Sequence, residues 1–223
     1  MILPGNLADD FERFCTLNPK PCPLLERAAI GDPDPRHLAP DADLRTDLPR
    51  YRVFRDGQCV EQPLSIESVW RDDLVAFLIG CSFTFEWALI EAGLPVRHIE
   101  QGHNVPMYRT NIPCTPAGDF GGSMVVSMRP MTPAQAREAQ RITANCPRVH
   151  GAPLHTGDPS TIGIADLNRP DHGNAVTIRP GEVPVFWACG VTPMEAVMRA
   201  KPELAITHEP GHMFVTDVSD VSL

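Results

Sequence analysis

The sequence predicts a mixed α/β (α+β) fold in which a mixed sheet is flanked by helices. Short apolar runs bounded by turn residues alternate with stretches of helical periodicity. Proline is abundant, at 24 of 223 residues, which favours many turns and short helices. Hydrophobic residues make up 43% and charged residues 21%, as in ordinary globular proteins. The length suits one large domain, and we treat residues 1–223 as a single domain.

The first elements follow from local patterns. "ADDFERFCTL" carries apolar residues at helical spacing, and the prolines of "NPKPCP" end that helix. Residues 26–50 are rich in Pro, Asp and Arg and predict a long polar connection. In "YRVFRDGQCVEQP", strand residues flank Asp56-Gly57, which predicts a hairpin with a type I′ turn.

The middle of the chain predicts a buried segment that runs into a helix. "VWRDDLVAFLIGCSFTFEWALIEAGLP" leads an apolar run into Gly80-Cys81-Ser82, with Ser82 as the N-cap of a helix closed by Gly93. "VRHIEQGHNVPMYRTNIPC" is strand-like with turns, and "MVVSM" predicts a buried strand.

Two further helices are predicted from their caps. "TPAQAREAQRITANCP" has Thr132 as N-cap and Pro133 at the first helical position. After the strands of "AVTIRPGEVPVFWACG", Thr192-Pro193-Met194-Glu195 predicts a capping box that opens a helix over "VTPMEAVMRAK".

The stretch "ITHEPGHMFVTDV" fits the letters H-E-x-x-H of zinc proteases. That motif works on a helix, where residues four apart share one face and reach one metal ion. Here Pro210 and Gly211 occupy the middle positions, and both disfavour a helix. Strand-like residues lie on both sides, so the segment predicts strand, tight turn and strand instead of a zinc-protease helix.

The chain matches itself without a gap when it is shifted by 109 residues, which pairs residues 77–103 with 186–212. Glu86 then meets Glu195, and both copies end in E-x-G-H. This indicates an internal duplication of a strand–helix–strand unit, and the alternative is coincidence between two ordinary units. If the repeat is real, His103 and His212 hold equivalent places and we expect them near one common cleft.

The net charge and the cysteines limit which classes of binding partner and which cellular compartment we expect. The net charge is −9, which argues against nucleic-acid and anionic-membrane surfaces. Seven cysteines without C-x-x-C spacing favour free thiols in a reducing cytoplasm. No apolar run has the length of a membrane span. We expect a small carboxylate or amino-acid substrate, and homo-oligomer formation stays open.

The candidate site residues lie in the two repeat segments and the polar loops. Carboxylates and imidazoles are the candidates for general acid and base. Two separate arginines and several polar side chains are candidates for binding the substrate carboxylate. The N–H groups at two helix starts are candidates for stabilising an oxyanion. The acid and base candidates are Glu100, His103, Glu209 and His212. The substrate-binding candidates are Arg109, Tyr108, Asn111, Ser82, Cys81, Cys189, Gly190 and Arg45.

Two other functions stay open. One is a metal-dependent hydro-lyase or hydrolase that uses the histidines His150, His155, His208 and His212 with Asp158, although their spacing is not specific. The other is a non-catalytic module that binds a carboxylate or an amino acid. For the roles of Cys81 and Cys189, inert buried thiols compete with activated nucleophiles.

Several extended stretches carry a resemblance: "NPKPCPLLE", "DLRTDLPRYRVFRDG", "GCSFTFEWALIEAGLPVRHIEQGHNVPMYRTNIPC", "VPVFWACGVTP" and "ITHEPGHMFVTD". Through them nearly the whole chain resembles a bacterial hydro-lyase family, which is related to the D-glutamate cyclase domain of vertebrate mitochondria. Members of that family usually carry a further N-terminal segment ahead of "ILP", so we expect that the start of this chain was either placed late or truncated.

The resemblance implies a carbon–oxygen lyase that removes water and, for D-glutamate, closes the substrate to 5-oxo-D-proline. That chemistry requires a deprotonated amine, a protonated leaving oxygen and a held carboxylate. It requires no organic cofactor, and we expect none and no resident metal, since the sequence also lacks nucleotide-binding motifs. An acidic protein binds an acidic substrate only where positive charge is concentrated locally, so the arginines are the favoured binding residues.

Overall fold

The computed structural model describes residues 1–219, which form ten strands and five α-helices. The strands are β1 (Ile2–Pro4), β2 (Leu24–Arg27), β3 (Tyr51–Arg55), β4 (Gln58–Glu61), β5 (Leu74–Ile79), β6 (Met107–Pro113), β7 (Ser123–Met131), β8 (His155–Thr156), β9 (Val183–Ala188) and β10 (Ala205–His208). The helices are α1 (Gly5–Leu17), α2 (Phe83–Glu91), α3 (Arg97–Glu100), α4 (Pro133–Thr143) and α5 (Val191–Ala200).

The strands form two sheets, and the α+β class is confirmed. The first sheet has the order β2-β5-β1-β10-β3-β4, and the second has the order β6-β7-β9-β8. Each strand pairing is antiparallel, so the expectation of a mixed sheet is wrong in this respect. The reason lies in the crossovers. The chain leaves β5 of the first sheet through α2 for β6 of the second, and it leaves β9 of the second sheet through α5 for β10 of the first. Neither helix returns to its own sheet, as a parallel βαβ unit requires.

The elements with clear local signals form as predicted. Helix α1 buries Phe11 and Phe14, and the Phe11 ring lies edge-on to Phe77 with ring centroids 4.9 Å apart. The hairpin β3–β4 turns at Asp56 and Gly57, with φ values of 49° and 80° as a type I′ turn requires. Helix α4 begins with a complete capping box in which Thr132 accepts from the N–H of Gln135.

Three predicted details are wrong. "VRHIE" begins helix α3 instead of a strand, because the buried Arg97 anchors it by ion pairs to Glu182 and Glu100. The residues after the His208–His212 turn form no strand. Thr192 opens no capping box, because α5 already begins at Val191 and the Thr192 hydroxyl bonds to the backbone of Val125.

Ser82 also differs from its predicted role. It precedes α2 with helical backbone angles, and its side chain makes no cap hydrogen bond. Its hydroxyl instead accepts from the Arg129 guanidinium at 3.2 Å. None of the seven cysteines forms a disulfide bond. None of the helices between residues 1 and 219 is long and apolar enough to cross a membrane.

Candidate active site

The two helices that cross between the sheets begin side by side. Gly80 and Cys81 lead from β5 into α2, and Cys189 and Gly190 lead from β9 into α5. A Cβ atom placed on Gly190 would lie 3.8 Å from the Gly80 carbonyl oxygen, so the two helix starts are in contact. Because helix N-termini carry unpaired N–H groups and partial positive charge, this junction concentrates two anion-attracting ends at one point.

A fully buried arginine lies beneath the start of α2. Arg129, on β7, donates through Nε and Nη2 to Glu86 and through Nη1 to Ser127, at 3.0 Å for the serine. The guanidinium lies 5.1 Å from the Phe85 ring and 5.2 Å from the Trp187 ring, measured to the centroids. These contacts hold the fully buried charge in place, because the aromatic faces attract a cation.

His98 completes this buried cluster. Its Nε2 lies 3.3 Å from the Glu86 carboxylate, and its ring is 4% exposed. Burial opposes ionisation of Glu86, but the charges and hydrogen bonds of Arg129 and His98 outweigh it and lower the pKa of Glu86. Glu86 is therefore a buried carboxylate that stays ionised near neutral pH.

A second cluster of the same composition lies beside the start of α5. Glu195 accepts from Arg109 Nε at 2.9 Å and contacts His172 Nε2 at 2.8 Å, while Arg109 Nη1 also reaches Asp171 at 3.1 Å. Burial again opposes ionisation, but the bonds from His172 and Arg109 lower the pKa of Glu195 to about 2. This cluster is more open, since the Arg109 side chain is 57% exposed.

Arg109 retains binding capacity in this arrangement. Its contacts with Glu195 and Asp171 occupy Nε and one N–H on each of Nη1 and Nη2, which leaves two of the five N–H groups of a guanidinium. Arg109 and Tyr108 line an open groove of about 360 Å³ together with the loop that carries Asp166 and Arg169. Asn111 adjoins the same loop at Gly163.

The two cysteines at the helix starts are protonated thiols. The Cys81 sulfur accepts from the N–H of Phe83, and the Cys189 sulfur accepts from the N–H of Val191. Burial dominates these bonds: it raises the pKa of Cys81, and it raises the pKa of Cys189 to about 12. A nucleophilic role, which requires a thiolate, therefore finds no support at either cysteine.

The predicted acid and base residues lie in two separate places. Glu100 pairs with Arg97, and His103 is exposed with Nδ1 3.2 Å from the Ala175 carbonyl oxygen. Glu209 forms a two-bond ion pair with Arg52, and that bonding lowers the pKa of the Glu209 carboxyl. Within residues 1–219, no hydrogen bond or ion pair joins these two segments, and neither His103 nor His212 lines the groove. The contacts therefore give no support to a shared cleft.

The histidines of the metal alternative are also dispersed. His155 bonds the Asp158 backbone, His208 bonds the Glu209 backbone and His150 bonds the Lys20 carbonyl. In the part of the chain that the structure describes, no three His, Cys, Asp or Glu side chains are grouped as metal ligands. The Arg45 side chain donates three hydrogen bonds to the Asp43 carboxylate, and none of these contacts reaches the helix starts.

Sequence reasoning missed Arg129, His98, Ser127 and His172 as members of these clusters. One signal was present for Arg129, because a charge inside the apolar run "MVVSMRPM" requires a buried partner. Another was the pairing of Glu86 with Glu195 in the shifted alignment. His172 follows a long loop and carries no local signal.

Comparisons with known proteins agree on one family. Residues 75–217 match a family model described as D-glutamate cyclase, and this range contains both helix starts and both clusters. A protein named "Putative hydro-lyase" from Bordetella pertussis is 64% identical over 217 residues, which are 97% of this chain and 78% of that protein. A second, from Stutzerimonas stutzeri, is 59% identical over 223 residues, 100% of this chain and 84% of that protein. A third, from Bacillus licheniformis, is 59% identical over 220 residues, 99% of this chain and 84% of that protein.

Proposed function

Because this chain belongs to the hydro-lyase family with the D-glutamate cyclase domain, we propose that it removes water from a small amino-acid substrate and closes D-glutamate to 5-oxo-D-proline. The observation that carries the proposal is the contact between the starts of α2 and α5 above the buried Arg129. In a protein of net charge −9, this junction is a local concentration of positive potential suited to an anionic substrate.

The reaction forms one C–N bond and breaks one C–O bond. The amine nitrogen attacks the γ-carboxyl carbon, one carboxyl oxygen leaves, and the two protons lost by the ammonium end on that oxygen as water. No oxidant or co-substrate is consumed. In our proposal, the N–H groups near Cys81-Ser82 and Cys189-Gly190 stabilise the oxyanion that develops on the γ-carboxyl. The thiol sulfurs that accept from these N–H groups are weak acceptors. The charged substrate oxygen is a stronger acceptor and replaces them.

Arg109 is the proposed partner of the substrate α-carboxylate. Its side chain is more than half exposed and lines the groove, and Tyr108 and Asn111 border the same region. Glu195 connects Arg109 to α5 about one helical turn after the helix start, ~6 Å along the axis at 1.5 Å per residue. This spacing suits a short dicarboxylate held at both ends, which curls the substrate for ring closure.

The test is NMR of D-glutamate incubated with the purified full chain, with and without a chelator, together with metal analysis. Formation of 5-oxoproline by metal-free protein supports the proposal. Turnover that the chelator abolishes would favour the metal-dependent hydro-lyase instead. Stoichiometric binding without turnover would favour the non-catalytic carboxylate-binding module. A panel of hydroxy acids as substrates tests the broader water-removing activity.

A further inference from the structure

A buried histidine that the proposed mechanism does not use faces the junction of the two helix starts. His150 is 1% exposed, and its Nδ1 lies 2.9 Å from the Lys20 carbonyl oxygen. A carbonyl oxygen only accepts, so Nδ1 carries the proton and Nε2 is a bare acceptor. A Cβ atom placed on Gly190 would lie 4.0 Å from this Nε2.

The Nε2 atom is buried and, among residues 1–219, has no hydrogen-bond partner. The Gly80 carbonyl lies close enough to favour a protonated ring, yet it does not form a hydrogen bond with Nε2. A buried acceptor without a donor is unfavourable and rare in folded proteins, so such an atom calls for an explanation. A core histidine that only holds its loop in place needs the hydrogen bond at Nδ1. The unpaired acceptor at Nε2 adds nothing to that structural role.

The backbone of His150 adds a second observation. Its φ of 82° lies in the left-handed region, which a histidine occupies at an energetic cost. The 3-10 turn Pro147–Val149 ends at this residue, and Arg148 of that turn packs its carbonyl oxygen against Gly80. The strained residue thus follows a turn that packs against Gly80, and its imidazole Nε2 lies near Gly190 at the start of α5.

We propose that His150 Nε2 is a catalytic acceptor that binds the substrate amine and carries its proton to the leaving oxygen. This inference rests on the proposed function and adds the base that it lacks. Both protons that the ammonium loses reach the departing oxygen, so the ring of His150 returns to its neutral form and the balance of the reaction is kept.

The surroundings keep the ring ready for this role. Burial chiefly lowers the pKa of His150, to about 4, and the charges of Arg129 and Lys20 act in the same direction. The imidazole is therefore neutral near pH 7. An anionic substrate at the junction counteracts both cations and strengthens the base when the substrate is present.

Two substitutions isolate the acceptor. His150→Asn keeps a side chain that tolerates positive φ and an amide able to donate to the Lys20 carbonyl, but it removes the acceptor at the Nε2 position. Gly190→Ala adds a methyl group in front of Nε2 without a clash, because its neighbours would be 3.8 and 4.0 Å away and its φ of −63° suits alanine. Gly121→Ala is the matched control, since its nearest neighbour would be 3.4 Å away.

The experiment combines turnover of D-glutamate with ¹⁵N NMR of the imidazoles in the full chain. We expect His150→Asn to lower kcat about 100-fold or more, Gly190→Ala about 10-fold or more, and Gly121→Ala to match the wild type, with all three folded. We also expect the Nε2 resonance of His150 to move when D-glutamate or 5-oxo-D-proline is added.

The outcomes separate this inference from the proposed function. Wild-type turnover in His150→Asn would overturn the role of His150 and leave the proposed function intact. If no variant and no wild-type protein converts D-glutamate, the proposed function fails and the NMR readout decides. A shift of Nε2 on addition of 5-oxo-D-proline, lost in Gly190→Ala, would then support His150 as a ligand acceptor, and an unmoved resonance would refute it.

Discussion

Glu86 and Glu195 lie 109 residues apart in the sequence and make the same kind of contact. Each stands in the first turns of a crossover helix, and each carboxylate is bound by one arginine and one histidine. The arginines, Arg129 and Arg109, come from the neighbouring strands β7 and β6. The two clusters differ in exposure. Arg129 is a fixed buried charge, whereas Arg109 is accessible to a ligand.

The buried cluster should contribute strongly to stability. Arg129→Met leaves the Glu86 charge buried without its main partner, and we expect a loss of about 3–5 kcal/mol in the free energy of unfolding. Arg141→Met, which removes an exposed pair with Glu138, should leave the free energy of unfolding nearly unchanged, because water screens that pair. Urea denaturation measures both. Equal losses in the two variants would contradict the importance given to the buried pair.

The Glu195 cluster should make stability depend on pH. The pKa of Glu195 in the folded chain, about 2, lies below the ordinary 4.5, so its contribution is present above pH 4.5 and is lost as the pH falls towards 2. Urea denaturation at several pH values should show a smaller decline over this range in Glu195→Gln than in the wild type. Glu91→Gln at the exposed end of α2 is the control. A variant profile as steep as that of the wild type would refute the assignment.

The two glycines at the junction should respond differently to alanine. In Gly80→Ala the new Cβ would lie 2.1 Å from the Arg148 carbonyl oxygen, a backbone atom, so the loop must move. We expect a loss of about 1–3 kcal/mol or more, by analogy with overpacked cores. Gly190→Ala should unfold like the wild type. Thermal unfolding compares them, and equal midpoints would show that the junction is less closely packed than described.

Arg109 should determine how well a carboxylate binds. Arg109→Ala removes charge-assisted hydrogen bonds worth roughly 1.5–3 kcal/mol, so we expect kcat/KM for D-glutamate to fall about 10- to 150-fold. Arg45→Ala, which removes an arginine that pairs with nearby Asp43 away from the groove, is the matched control and should retain full activity. Steady-state kinetics test this, and equal loss in both variants would disprove a specific role of Arg109.

The parts of the fold that were predictable depend on contacts between near neighbours in sequence. The capping box at Thr132, the hairpin at Asp56-Gly57 and the apolar face of α1 each depend on residues a few positions apart. Helix α3 escaped prediction because Arg97 is anchored by Glu182, 85 residues away, and such a partner overrides local preference.

The site was only partly predictable for the same reason. The helix starts at Cys81-Ser82 and Cys189-Gly190 carry turn and apolar signals in the sequence, and the structure brings them together. The partner of Glu86 is Arg129, 43 residues away, and the partner of Glu195 is His172, which a loop delivers. The E-x-G-H segments do contain turns, with φ of 64° at Gly102 and 82° at Gly211, but those turns lead to separate ion pairs.

An isotope-labelling experiment on the γ-carboxyl oxygens of the substrate decides whether this protein removes water from that carboxyl group. D-Glutamate labelled with ¹⁸O at both γ-oxygens is incubated with metal-free protein, and the product is analysed by mass spectrometry. Removal of water from the γ-carboxyl predicts 5-oxoproline that retains one ¹⁸O atom, with the other released as water. Unreacted substrate, or a product that retains both labelled oxygens, would contradict the account.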